Sequence, residues 1–262
     1  MTAPRVSINT DVGEGFGVWG VADESALLRE VTAANVACGF HAGDPDILRR
    51  TCATAAELGV SIGAQVSYRD LAGFGRRFID VPPSSLVNDI VYQIGALQAF
   101  ARVSGTEVTY VKAHGALYNA AARHEGHASA IVEAIGLVDR TLPVLCQYGT
   151  RVWELAVSVG LTPHAEVFVD RGYTDQGLLV ARSHPGALLV DPRAAAARAW
   201  EMVGTGSVVS VDGVRATVLP ERAPAVALCV HSDTPGAVAI ARETRATLER
   251  HGAQPAPIGA RR

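Results

Sequence analysis

The sequence predicts an α/β fold, a TIM-like barrel of seven or eight β/α units, on three observations. Apolar runs of strand length alternate about seven times with segments of helical periodicity along the 262 residues, and such alternation builds a parallel sheet covered by helices. Hydrophobic residues make up 48% of the chain and the mean hydropathy is +0.19, which suits strands buried on both faces. Polar and ionisable residues fall at or just beyond the C-terminal end of nearly every strand. An open doubly wound sheet gathers its ligands at one switch point, whereas a closed barrel brings all strand ends into one ring.

The elements follow in order. Val6–Asn9 is a short strand leading into the glycine-rich loop Asp11–Gly20, and Asp23 caps a helix carrying Ala26, Leu27 and Val31. The second unit organises the chain: an apolar run from Ala34 opens into Gly39–Phe–His41–Ala–Gly43 and closes on Asp44–Pro45. Asp44 suits the cap and Pro45 the first turn of a helix to Leu58. Ser61–Val66 is the third strand, followed by the loop Gly73–Phe–Gly–Arg76–Arg77, and Pro82–Pro83–Ser84 starts a long helix through Phe100. Thr109–Lys112 is the fourth strand, and a helix spans Ala128 to Val138. Pro143–Gln147 is the fifth strand, with a helix from Thr150 to Val159. Ala165–Asp170 is the sixth, running into the polar loop Arg171–Gly177, and Pro192 opens an alanine-rich helix to Val203. Ser207–Val211 and Val214–Val218, joined by Asp212–Gly213, read as a β-hairpin inserted before the last strand, Val226–Val230. Pro235 starts the final helix. The expected organisation is one barrel domain over residues 1–250 and a flexible C-terminal tail over 251–262.

Composition excludes several function classes. The net charge is −3 with no basic cluster, which argues against nucleic-acid and membrane-surface partners. The four cysteines lie far apart without a C-x-x-C spacing, so they read as buried apolar residues rather than a zinc or redox pair. No signal peptide and no membrane span is legible, and a cytoplasmic location is expected.

If the barrel closes, Asp11, Glu14, His41, Lys112, His114, Asp170, His231 and Asp233 converge. Carboxylates beside imidazoles serve as general acid and base or hold a divalent metal, and a lysine among them stabilises a developing oxyanion or a phosphate. His124, His127 and His251 sit in polar surroundings and read as surface residues. Gly15–Phe–Gly17–Val–Trp–Gly20 matches G-x-G-x-x-G, but no acidic residue follows the next strand to hold a ribose, so a dinucleotide site is not expected. Gly73–Phe–Gly–Arg76–Arg77 pairs a flexible backbone with two guanidinium groups suited to an anion.

Several strings together resemble the LamB/YcsF family: Asn9-x-Asp11-x-Gly-Glu14-x-Phe-Gly17, Asn35-x-Ala-Cys-Gly-Phe-His41-Ala-Gly-Asp44-Pro, Gly73-Phe-Gly-Arg-Arg77, Tyr92-Gln-Ile-Gly-Ala-Leu97, Lys112-x-His114-Gly-Ala-Leu-Tyr118-Asn119, Glu166-x-Phe-x-Asp170-Arg-x-Tyr173 and Cys229-Val-His231-x-Asp233-Thr-Pro-Gly236. The resemblance runs from about Val6 to Leu248. It implies an irregular barrel of the glycoside hydrolase/deacetylase type, and ATP-dependent opening of the 5-oxoproline ring to L-glutamate in a complex with subunits B and C of 5-oxoprolinase. On that reading Asp11, His41, Lys112, His114 and Asp170 are the catalytic candidates. Asn9, Glu14, Asn35, Arg76, Arg77, Tyr118, Asn119, Glu166, His231 and Asp233 are candidates for binding substrate or phosphate. The chain departs from the family pattern at Gln65, where the family usually has histidine, and glutamine is a poor transition-metal ligand. A divalent metal is therefore doubtful. Milder departures are Ala113 in place of proline and Ser232 in place of glycine. Two alternatives accompany this reading: a metal-dependent deacetylase or amidase of the same barrel working without ATP, and a non-catalytic protein that binds substrate or serves as a scaffold.

Overall fold

A computed structural model describes residues 5–259. Six parallel strands come first: β1 (Arg5–Val12), β2 (Ala33–Ala37), β3 (Ser61–Val66), β4 (Val108–Ala113), β5 (Val144–Cys146) and β6 (Pro163–Phe168). The antiparallel pair β7 (Ser207–Val209) and β8 (Arg215–Thr217) stands apart as a two-stranded sheet, and β9 (Ala225–Val230) follows. The barrel closes because β9 pairs with both β6 and β1, matching Val226 to Ala165 and to Val6. Its order is β1-β2-β3-β4-β5-β6-β9, so the expected closed barrel forms with seven strands and the hairpin lies outside it.

Helices cover the outside: α1 (Glu24–Leu28), α2 (Pro45–Glu57), α3 (Pro83–Val103), α4 (Gly115–Ala121), α5 (Glu125–Val138), α6 (Arg151–Ser158), α7 (Pro192–Thr205) and α8 (Ala237–Arg250). Local chemistry sets their starts. Asp44 Oδ1 accepts from the amides of Asp46 and Ile47, each at 3.0 Å, and Asp23 caps α1 through the Ala26 amide. The long helix α3 starts at Pro82–Pro83–Ser84 as expected, with Pro82 as its cap residue and no side-chain hydrogen bond from that cap. The short helix α4, unforeseen from the sequence, follows β4 after one residue, His114.

Strand residues alternate between two environments, as a period of two requires. Ile8, Val36, Ile62, Val111, Val167 and Leu228 pack outward against the helices in the main hydrophobic core. The residues between them point into the barrel and are largely polar: Asn9, Asp11, Asn35, Gln65, Lys112 and Glu166 are all buried. Gly63 makes room for Tyr110 inside: a Cβ there would lie 2.0 Å from the Tyr110 ring.

The tail differs from expectation. Rather than fraying, the described part crosses the N-terminal mouth of the barrel. The Ala256 amide donates to Val6 O at 2.8 Å and the Ile258 amide to Ser61 Oγ at 3.0 Å. Ile258 is only 3% exposed and packs with Ala33, Tyr110, Leu145 and Ala227. Two alanines in that ring leave space that the tail's side chain fills. The four cysteines are free and buried, as their setting predicts. No helix among the described residues is long and apolar enough to cross a membrane.

Replacing Ile258 with alanine opens a cavity under the floor of the site, with an expected loss of about 2–4 kcal/mol in unfolding free energy. Chemical denaturation measures it, and a wild-type midpoint would show that the tail is not docked.

Candidate functional site

The C-terminal ends of the strands open into a cavity of about 650 Å³. Asp11, Glu14, Lys112, His114, Tyr118, Asn119, His231 and Asp233 line it, together with Arg76. Residues as distant in the chain as Asp11 and Asp233 therefore meet at one rim, because parallel strands all deliver their ends to the same face.

Lys112 occupies the floor. It is 3% exposed, and its ammonium lies 2.7 Å from Glu166 Oε1, 3.5 Å from Asp11 Oδ1 and 3.2 Å from Asn9 Oδ1. Burial disfavours its charge, but Asp11, Cys229 and Glu166 outweigh burial and hold its pKa well above the ordinary lysine value. Asn35 braces the same network. Its amide donates to Asn9 Oδ1 and Asp11 Oδ1, each at 2.8 Å, while its own oxygen accepts from Tyr110 at 2.7 Å. Asp11 is likewise buried, yet Lys112, followed by His114, His231 and the Asn35 hydrogen bond, keeps its carboxyl well below the usual carboxylate range. The floor is a fixed ion network with Lys112 cationic and Asp11 anionic.

Two imidazoles stack on one side of it. His41 and His114 have ring centroids 3.9 Å apart and planes inclined by 14°. His114 is saturated: Gln65 Nε2 lies 2.9 Å from its Nδ1, and its Nε2 lies 3.0 Å from Phe74 O. One tautomer satisfies both contacts, with Gln65 donating to Nδ1 and Nε2–H donating to the carbonyl. Burial, then the neighbouring His41, pushes its pKa well below the ordinary histidine value, so His114 is neutral. His41 is fully buried behind it, and both of its ring nitrogens lack hydrogen-bond partners. The turn at Gly75 packs tightly over both rings, for a Cβ at that position would come within 2.8 Å of His114 and 2.9 Å of His41.

A further imidazole stands opposite. His231 Nδ1 lies 3.0 Å from Asp170 Oδ1, and the His231 amide donates to Asp170 Oδ2 at 3.2 Å. Thr234 also donates to that carboxylate, and the His231 ring stacks on Phe168 at 5.1 Å. Burial works against the Asp170 carboxylate, but His231 and the Thr234 hydroxyl win and hold its pKa down. Nδ1–H therefore points at Asp170, and Nε2 faces the cavity that His231 lines. Asp170 does not line the cavity. It positions His231.

The arginines part company. Arg76 stays at the rim, 2.5 Å from Asp233. Arg77 is bound by the buried Asp70 carboxylate and lies outside the cavity, so the structure does not bring it together with the other binding candidates. Phe74 adopts a left-handed conformation with φ 54°, and the tight turn through Gly75 sends the two neighbours in different directions. His127, expected at the surface, is fully buried, 2.7 Å from the Tyr68 hydroxyl and 3.2 Å from Val81 O. Arg171, read only as the start of the polar loop Arg171–Gly177, and Arg182, not singled out from the sequence, line the cavity. Arg171 had a sequence signal in its place just after β6, within the string Glu166-x-Phe-x-Asp170-Arg-x-Tyr173, and Arg182 had none.

Ligand atoms of Glu14, His41 and His114 lie within 4.8 Å of one another, a spacing that a metal ion can bridge. The donor set does not fit one as it stands. Gln65 Nε2 donates to both Glu14 Oε1, at 3.1 Å, and His114 Nδ1, so the amide competes with a cation at two of the three groups, and His41 alone offers an unengaged nitrogen.

The sequence profile of the LamB/YcsF family matches residues 6–262. A protein of Mycobacterium marinum named as the A subunit of 5-oxoprolinase is 53% identical over 249 residues, covering 95% of this chain and 97% of the relative. Its namesake in Streptomyces avermitilis is 52% identical over 247 residues, covering 94% and 97%. The crystal structure of a lactam utilization protein from Thermus thermophilus superimposes with a TM-score of 0.89 at 38% identity, covering 96% of this chain and 99% of that one. A structure from Enterococcus faecalis shares the fold alone, with a TM-score of 0.58 at 10% identity. With the match spanning every barrel strand and each loop that lines the cavity, the chain belongs to the LamB/YcsF family.

Proposed function

We propose that this chain opens the lactam ring of 5-oxoproline to give L-glutamate, coupled to ATP hydrolysis, in a complex with 5-oxoprolinase subunits B and C. The observation that carries the reading is the pairing of a fixed ammonium, Lys112, with an oriented imidazole, His231, across one cavity, in a chain so similar to proteins of that name. A lactam is a resonance-stabilised amide. ATP supplies the activation: its γ-phosphoryl group passes to the carbonyl oxygen as ADP leaves, water adds to the activated carbon, C–N cleavage leaves an acyl phosphate, and a second water releases phosphate and L-glutamate.

The residues divide the remaining work. Lys112 is held charged, so it acts as a fixed positive centre for the charge that builds on the carbonyl oxygen, not as a proton carrier. His231 Nε2 takes a proton from the attacking water, and Asp170 stabilises the imidazolium that forms. The same imidazolium can then return a proton to the ring nitrogen as the C–N bond breaks. His114 is neutral with both nitrogens engaged, so its part is to hold Glu14 and Gln65 in place. Arg76 at the rim offers a guanidinium to phosphate. No step passes through a metal, and Gln65 is the reason. A deacetylase working by metal-bound water finds two of its three ligand groups, Glu14 and His114, already hydrogen-bonded to Gln65 here.

His231→Asn should lower kcat at least about 100-fold in the reconstituted complex with an unchanged thermal midpoint. Wild-type turnover would remove His231 from the mechanism. Gln65→His removes the blocking amide and adds an imidazole, so calorimetric titration of Mn²⁺ or Zn²⁺ into the full chain should show at least about tenfold tighter binding than to the wild type. Equal binding by the two would mean that Gln65 does not exclude the ion.

His114 also sets a pH dependence. Its folded pKa lies below the unfolded value of 6.5, so the unfolded chain takes up the extra proton. Stability is complete above about pH 6.5 and is lost as the pH falls toward the folded pKa. Buried His127 and the half-buried His164 share this direction, burial being the first cause in each. The slope of unfolding free energy between about pH 7 and pH 5 should therefore be shallower in His114→Asn by up to about one proton, without vanishing. Equal slopes would show that His114 titrates normally in the folded chain.

A further inference from the structure

We propose that Arg171 and Arg182 form a carboxylate subsite at the mouth of the cavity, with Asp233 as the internal carboxylate that competes for it. The proposal rests on the 5-oxoproline reading above and says which part of that substrate goes where.

Arg171 is 6% exposed yet lines the cavity. Its Nε donates to Ala187 O at 3.2 Å and its Nη2 to Val180 O at 2.8 Å. These carbonyls fix the plane of the guanidinium but carry no charge to balance it. Among the described residues no carboxylate lies within ion-pair distance of it. A buried cation left without a counter-ion is costly, and burial, followed by the charge of Arg182, pushes its pKa down.

Arg182 comes from the same loop after β6 and meets Asp233 at 3.1 and 3.2 Å. Asp233 must also serve Arg76. One carboxylate thus answers two guanidinium groups while a third, Arg171, has none. The mouth carries an excess of positive charge, whereas the floor balances Lys112 with Asp11 and Glu166. A ligand with one anionic end and one neutral polar end matches this division. 5-Oxoproline has that form: its carboxylate meets the arginine fork, which suits planar two-oxygen anions, and its lactam reaches toward Lys112 and His231. A phosphate is the other anion that the same pair could take.

The test compares 5-oxoproline with 2-pyrrolidinone, the same ring without its carboxylate, in the reconstituted complex. Arg182→Gln should raise KM for 5-oxoproline about tenfold while leaving the turnover of 2-pyrrolidinone and KM for ATP unaltered. Arg171→Lys keeps the charge but loses the fork and should act in the same direction, with circular dichroism melting to check its fold. Asp233→Asn frees Arg182 and should lower KM for 5-oxoproline. Unchanged discrimination between the two lactams in Arg182→Gln overturns the subsite, and a raised KM for ATP instead assigns the pair to phosphate. Absence of lactam turnover in the wild-type complex counts against the proposed reaction and not against the subsite. Calorimetric binding of the two lactams to the full chain then decides the subsite, since loss of preference for 5-oxoproline in Arg182→Gln supports it and an unchanged preference overturns it.

Discussion

An ammonium group buried inside a closed barrel constrains everything around it. Lys112 cannot be charged there without the carboxylates of Asp11 and Glu166 beside it, and Lys112 in turn holds Asp11 ionised. The three come from β1, β4 and β6, so the ion network works only when the barrel is closed and in register. A slip of one residue on β4 would turn Lys112 outward into the helix layer and present Val111 or Ala113 to the carboxylates. The apolar core and the polar interior thus specify the same register from opposite faces of each strand.

That arrangement needs a floor that water does not cross freely. Tyr110 supplies part of it, with its hydroxyl tied to Asn35 and its ring accommodated by Gly63. Ile258 supplies the rest from the far end of the chain. The N-terminal mouth of the barrel is closed by apolar packing while the C-terminal mouth stays open and polar. Such asymmetry strengthens every charge interaction above the floor, because the surrounding dielectric is lower on one side.

Much of this was legible in the sequence. The β3 boundaries, the Asp44 cap and the convergence of Asp11, Lys112, His114 and His231 follow from strand length, capping chemistry and the rule that parallel strands share one C-terminal face. What escaped depends on contacts between distant segments. The tail reads as a polar and proline-rich end, and nothing local reveals that Ala33 and Ala227 leave a hole for Ile258. Arg76 and Arg77 are adjacent and identical, and only the left-handed turn at Phe74 and the partner Asp70 decide which faces the cavity. Arg171 sits beside an expected acid and was hidden by it. His127 follows a polar helix start, yet Tyr68 and Val81, more than 40 residues away, draw it inside.

The two imidazole clusters explain how proton transfer can be confined to one side of the cavity. The His41–His114 stack has a saturated front ring and a buried back ring, so it exchanges no proton with the cavity without rearranging Gln65 and Phe74. The Asp170–His231 pair is open at Nε2 and closed at Nδ1, the arrangement a base needs. In the proposed reaction the substrate begins with one carboxylate and ends with two. The new carboxylate forms on the carbon that Lys112 had served, but Asp11 and Glu166 already balance the ammonium there. Repulsion from two fixed anions favours departure of the product over its retention. The same floor that steadies developing charge on a single oxygen is therefore poorly suited to keep a fully formed carboxylate, and this difference between the transition state and the product is what catalysis requires of it.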